Sequence, residues 1–123
     1  MRRVHTDETP SFVTKDGSQI RELMHPNHHG STNQSLAEAT VASGATTLLH
    51  RHHHSEEIYY FLTGEAIMVR GDESFPVRPG DVVCIAPGTR HQLRNIGIEP
   101  LRLLCMCSPP YRHDDTEVLD ENS

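Results

Sequence analysis

The 123-residue chain predicts an all-β fold, a sandwich or small barrel, on three observations. Its apolar stretches are short and rich in β-branched residues. Clusters of Gly, Pro, Asn and Asp separate them at regular spacing. No stretch carries the apolar period of a long amphipathic helix. The length fits one domain, 1–123. Hydrophobic residues at 35% and charged residues at 23% mark a globular rather than a disordered chain.

The elements follow in order. Ser11–Thr14 and Gln19–Met24 are candidate strands of an N-terminal segment, residues 1–33. Gln34–Ala42 opens the barrel core, about residues 34–108; its alanines also suit a helix, and its alternation does not decide between the two. Thr47–His52 and Ile58–Thr63 are two strands joined by a tight turn near His54-Ser55. Gly64 separates that second strand from Ala66–Arg70, which Gly71-Asp72 ends. Arg78-Pro79-Gly80 precedes Val82–Ile85, and Ala86-Pro87-Gly88 turns the chain into His91–Asn95. Asn95-Ile96-Gly97 leads to Leu101–Cys107. The acidic tail, residues 111–123, holds five acids and one arginine and reads as a solvated tail or a short helical turn.

Several function classes are excluded. A net charge of −6 does not supply the basic footprint of a nucleic-acid binder. No apolar run approaches the roughly 20 residues of a membrane helix. The opening MRRVHTDETP has two arginines but no apolar segment behind them, so a cytoplasmic chain is expected, without a membrane partner. Cys84, Cys105 and Cys107 read as reduced thiols packed in strands.

The unusual count is histidine, ten residues. Side chains alternate faces along a strand, so His50 and His52 share one, with Leu48 beside them. A hairpin returning through Glu57, Tyr59 and Phe61 lays Glu57 next to that pair. Two imidazoles and a carboxylate converging on one point are a metal site by ligand type. Gly88-Thr89-Arg90-His91 supplies a third imidazole, with Leu93 on its face.

Gly44 is followed by five residues, His50-Arg51-His52, four residues, Glu57, six residues and Gly64. Gly80 is followed by five residues, Ala86-Pro87-Gly88, two residues, His91, three residues and Asn95. The chain resembles the cupin superfamily, specifically its small single-domain metal-binding members. One position departs, Ala86 standing where the family has its first proline. The resemblance implies a conical antiparallel barrel (a double-stranded β-helix, or jelly roll) with one divalent metal per chain. The ligands it implies are His50, His52, Glu57 and His91; Glu56 is the rival of Glu57, disfavoured by its distance from Gly64 and its strand parity. Iron or manganese is favoured among the metals, with nickel, zinc, cobalt and copper as alternatives.

Around such a centre, Leu48, Tyr59, Phe61 and Leu93 are the expected pocket lining. Arg21 and Gln34, on early strands, are candidates to reach a substrate. Tyr59 is a candidate proton donor, and no other separate catalytic residue stands out. His53, His54 and His113 read as surface residues, and the segment His25-Pro26-Asn27-His28-His29-Gly30 as a loop that is either solvated or edges the pocket. The family implies an enzyme on a small oxygenated molecule, of dioxygenase type or a redox-neutral lyase or isomerase. It also admits a non-catalytic small-molecule binder. The expected partners are a small-molecule substrate or ligand and a second copy of the chain in a homodimer, with the residues before Met24 as the exchanged or packing segment.

Overall fold

The computed structural model describes residues 2–119. Eleven strands are found among them: β1 (Phe12–Val13), β2 (Gln19–Met24), β3 (Ser35–Val41), β4 (His50–His52), β5 (Glu56–Thr63), β6 (Ala66–Arg70), β7 (Glu73–Val77), β8 (Val82–Ile85), β9 (His91–Asn95), β10 (Leu101–Ser108) and β11 (Thr116–Val118). The helical content is two 3-10 turns, Thr6–Glu8 and His113–Asp115. No helix of the described residues is long and apolar enough to cross a membrane.

The strands form two antiparallel sheets. One runs β1-β2-β3-β10-β5-β8, the other β11-β4-β9-β6-β7. Inward-facing side chains from both sheets make the core: Phe61, Leu101 and Leu103 from the first and Met68 from the second are fully buried. This is the jelly-roll form of an all-β chain, and the alternation of each strand sets its buried face. The expected segment Gln34–Ala42 forms a strand over Ser35–Val41, in which alternate residues Ala37, Ala39 and Val41 line the cavity while Glu38 faces outward to Arg21 and Arg102.

Two strands depart from the sequence expectation. Glu73–Val77 carries Pro76 within an acidic and polar context that hides its strand character. It is the edge strand of its sheet, where a missing N–H costs no ladder bond. The acidic tail is not wholly solvated either: Thr116–Val118 pairs with His50–His52, and Asp115 and Thr116 are buried. Residues 120–123 of that tail lie outside the described residues.

Gly64 marks the crossing from the first sheet to the second. It stands at φ +84° at the β5–β6 turn, and a Cβ there would come within 2.9 Å of both Leu101 Cα and Pro100 O. Only glycine fits both the backbone angle and the space. On the opposite side of the first sheet, the solvent-facing positions of β5, β8 and β10 are chiefly apolar, with Glu56 and Ser108 at one end and Arg102 at the other. Ile58, Tyr60, Leu62, Val82, Leu104 and Met106 all lie on that outer face, with Tyr60 39% and Val82 63% exposed. The N-terminal strand β1 pairs with β2 of its own chain.

Candidate metal centre

β4, β5 and β9 bring the four expected ligands together. His50 and His91 are directly paired across β4 and β9. The turn Ala86-Pro87-Gly88 is tied to β4 by the Gly88 amide, which donates to the His52 carbonyl at 2.7 Å. His50, His52 and His91 each present a ligand atom within 4.8 Å of the others, and all three are buried. Glu57 Oε1 lies 3.1 Å from His52 Nε2 and 3.3 Å from His91 Nε2. Glu57 is buried while Glu56 is exposed on the outer face, as the strand parity requires.

The surroundings fix the imidazole tautomers. His50 Nδ1–H donates to the Leu48 carbonyl and His91 Nδ1–H to the Thr89 carbonyl, both at 2.9 Å. His52 Nδ1–H donates to Thr116 Oγ at 2.9 Å, because that hydroxyl spends its own proton on the Arg112 carbonyl. The three Nε2 atoms are thereby turned to the centre, the arrangement that neighbouring acceptors impose on metal-bound histidines. Cys107 Sγ donates to Glu57 Oε2 at 3.4 Å, leaving Oε1 as the inward oxygen.

Two buried polar atoms at the centre have no hydrogen-bond partner: Glu57 Oε1 and His91 Nε2, although only 3.3 Å separates them. An orphaned buried acceptor is costly unless something else satisfies it. A cation between the four groups would satisfy both atoms at once, so the donor set fits a divalent metal. The four groups also set one another's charge. Burial lowers His50 to about 4, aided by neighbouring His91 and opposed by Asp16. His52 is raised: burial works against its charge, but the Glu57 carboxylate beside it outweighs that. Burial works to raise the Glu57 carboxyl, yet His52 and His91 hold it well below the usual carboxylate range.

Comparison with known proteins confirms the fold's kinship. The family model of the cupin domain matches residues 37–107. The chain is a cupin. This cupin is 52% identical over 114 residues to an uncharacterized protein of Methanocaldococcus jannaschii, covering 93% of this chain and 91% of that one. A predicted oxalate decarboxylase from Thermotoga maritima superposes with TM-score 0.76 at 23% identity, over 86% of this cupin and 97% of that chain. The polyketide cyclase RemF of Streptomyces resistomycificus gives TM-score 0.82 at 22% identity, over 98% and 88%. A nucleoside dehydratase from Streptomyces gives 0.77 at 16%, over 97% and 91%. These three share its fold across unrelated chemistries. A three-histidine cluster within a cupin is the mark of a divalent-metal site, and it does not name the metal.

Beside the cluster lies a cavity with an enclosed volume of about 60 Å³. Tyr59 and Leu93 line it, as expected. Four other expectations are corrected. Leu48 is 39% exposed, because β4 begins only at His50 and strict alternation does not reach back to residue 48; Thr47 lines the cavity instead. Phe61 is one step too deep, fully buried in the core with its ring edge-on to Tyr59 at 6.0 Å. Arg21 points to the outer face of the sheet, where it bonds the Thr9 carbonyl and pairs with Glu38. Gln34 precedes β3 and is exposed.

His25 is also not part of a solvated loop. It is buried, donates from Nε2 to the Tyr111 carbonyl at 2.8 Å and accepts the Asn27 amide at Nδ1. His53 and His54 are on the surface, paired with Glu117 and Asp115.

Asp16 and Tyr111 at the cavity were missed by sequence reasoning. Asp16 Oδ2 stands 3.6 Å from His50 Nε2, and Oδ1 accepts both the Ser18 amide and hydroxyl. The Asp-Gly-Ser turn between two strands was the available signal for it. The Tyr111 ring meets His52 edge-on at 5.8 Å, and its position inside an acidic run gave no sign of this.

Proposed function

We propose that this cupin is a metal-dependent enzyme acting on a small oxygenated organic molecule, with one divalent ion per chain held by His50, His52, Glu57 and His91. The carrying observation is the buried, unpartnered pair Glu57 Oε1 and His91 Nε2 at the focus of three oriented imidazoles. A bound divalent ion would supply Lewis acidity and, as iron or manganese, redox chemistry. The chain's own residues hold, orient and shield. Burial keeps the Tyr59 phenol and the Cys105 and Cys107 thiols protonated, so none of them is a base or nucleophile at neutral pH. That supports a dioxygenase-type oxidation, in which both oxygen atoms of O₂ enter the product. Asp16 favours a second reading. A carboxylate oxygen 3.6 Å from His50 Nε2 suits a redox-neutral lyase or isomerase that moves a substrate proton.

Metal analysis of the untagged chain tests the core of this reading, with about one iron or manganese per chain as the expected result. Failure to take up any divalent ion overturns it. Oxygen uptake with turnover supports the oxidation. Turnover without oxygen supports the redox-neutral reading, and tight binding without product makes the protein a metal-dependent carrier.

The partner we infer is a second copy of the chain, seated on the apolar outer face of the first sheet. Three strands about 4.8 Å apart give that patch roughly 15 by 20 Å, the size at which exposed apolar surface marks an interface. The chain carries −6, yet on this face Glu38 is already held by Arg21 and Arg102 and Glu56 stands at the margin. Two acidic chains meet there with the least repulsion. Three unpaired cysteines, one of them exposed, support a reducing, cytoplasmic setting.

A further inference from the structure

The cavity wall is unusual in its charge. Its ionisable residues other than histidine, cysteine and tyrosine are Asp16, Glu22 and Glu57, and no lysine or arginine is among the described residues that line it. Arg21, between Ile20 and Glu22 of this wall, is turned away and engaged with Glu38 and Thr9. Lys15, next to Asp16, is held by the His113 and Thr116 carbonyls. The carboxylate of Asp16 is anchored: Ser18 fixes Oδ1, and the Asp16 carbonyl accepts the Leu48 amide at 2.8 Å, so the side chain stays beside the centre. Its side chain is 13% exposed, shielded from the water that would weaken its field. Glu22 faces the imidazoles of His25 and His28 at 3.9 Å each.

A divalent ion bound by Glu57 carries a formal charge of +1. Asp16 cancels that charge, and Glu22 adds a further negative charge to the wall. A carboxylate or phosphate entering this space finds no counter-charge beyond a centre already neutralised. The space itself is small, since about 60 Å³ holds on the order of four water molecules. Its walls are chiefly apolar, from Ile20, Ala39, Leu93 and Leu103.

We infer that the substrate is a small neutral or cationic molecule that reaches the centre through hydroxyl or carbonyl oxygens, and that Asp16 excludes anionic competitors of the same shape. This rests on the metal-dependent reading above. Asp16 acts here as a specificity-determining residue through its fixed charge and its place beside His50.

The test uses the manganese-loaded full chain and two probes of similar size that each chelate through a hydroxyl and an adjacent C=O oxygen, hydroxyacetone (neutral) and glycolate (anionic). Binding is read from the loss of exchangeable water on manganese, by proton relaxation. Asp16→Asn should raise glycolate affinity about tenfold and leave hydroxyacetone within about twofold, as expected for removing one charge near the ligand. Glu22→Gln should give a smaller gain in the same direction. Glycolate affinity unchanged or lowered in both variants overturns the inference, as does a gain that is equal for the two probes. Metal content of each variant is measured first. A wild-type chain that takes up no divalent ion fails the metal-dependent reading itself, whereas a loaded chain indifferent to Asp16 fails only the charge selection.

Discussion

Glu56 and Glu57 are neighbours in the chain and stand on opposite faces of β5. Glu57 is buried against two imidazoles and Glu56 faces outward. Glu57→Gln should therefore lower manganese affinity at least a hundredfold in a metal titration, while Glu56→Gln stays within about twofold. Equal losses would show that the carboxylate at the centre has been misassigned. Protons compete with the ion for the same atoms. In the metal-free chain the Glu57 carboxylate holds His52 above the usual imidazole range, so competition at His52 begins above pH 6.5 and grows as pH falls. His50, already lowered to about 4, adds to it only in strong acid. Apparent affinity should fall by roughly tenfold per pH unit below the His52 titration, for one proton displaced. Calorimetric titrations from pH 8 to 5 check this, and a flat profile would argue against histidine ligation.

At the scale of elements, β11 holds the ligand strand in place. Thr116, Glu117 and Val118 pair with His52, Arg51 and His50, whereas β9 is in register with β4 at the His50–His91 pair. Thr116→Val removes the acceptor of His52 Nδ1–H at nearly constant volume. It should cost about tenfold in metal affinity, a typical loss for such an outer partner, with a smaller change in the thermal midpoint. Gly64→Ala should destabilise the fold by about 2 kcal/mol or more, read in denaturant melts, because its Cβ meets the Leu101 backbone. The ligand-bearing strands were legible in the sequence because period-two alternation and Gly-Pro turns act locally. Residues just outside strand ends were not. Leu48 fails because alternation stops where pairing stops, and Phe61 because parity gives the face but not the depth. Arg21 was misread because its partner Glu38 is on another strand. β7 and β11 were hidden, since an edge strand tolerates Pro76 and a terminal strand tolerates acids that solvent still reaches.

For the whole molecule, two layers leave one surface unlike the rest, the apolar outside of β5, β8 and β10. Sedimentation equilibrium should find a dimer. Tyr60→Glu, at a position already 39% exposed, should dissociate it without unfolding, while Ile98→Glu, at a position 97% exposed and off this face, leaves it intact. A wild-type monomer at high micromolar concentration would rule the pairing out. Cys84 offers a second reading of the same event, because its exposed thiol on β8 should react more slowly in the dimer than in the Tyr60→Glu chain. The strap across β4 has one more consequence. His52 and His91 are translated long before Thr116, so a chain growing from the ribosome has all its candidate ligands before it has the hydroxyl that orients one of them. Full-affinity capture of the ion is thus deferred until residues 116–118 emerge and dock. An ion taken up at this site would thus be held at full affinity only once β11 has docked on β4.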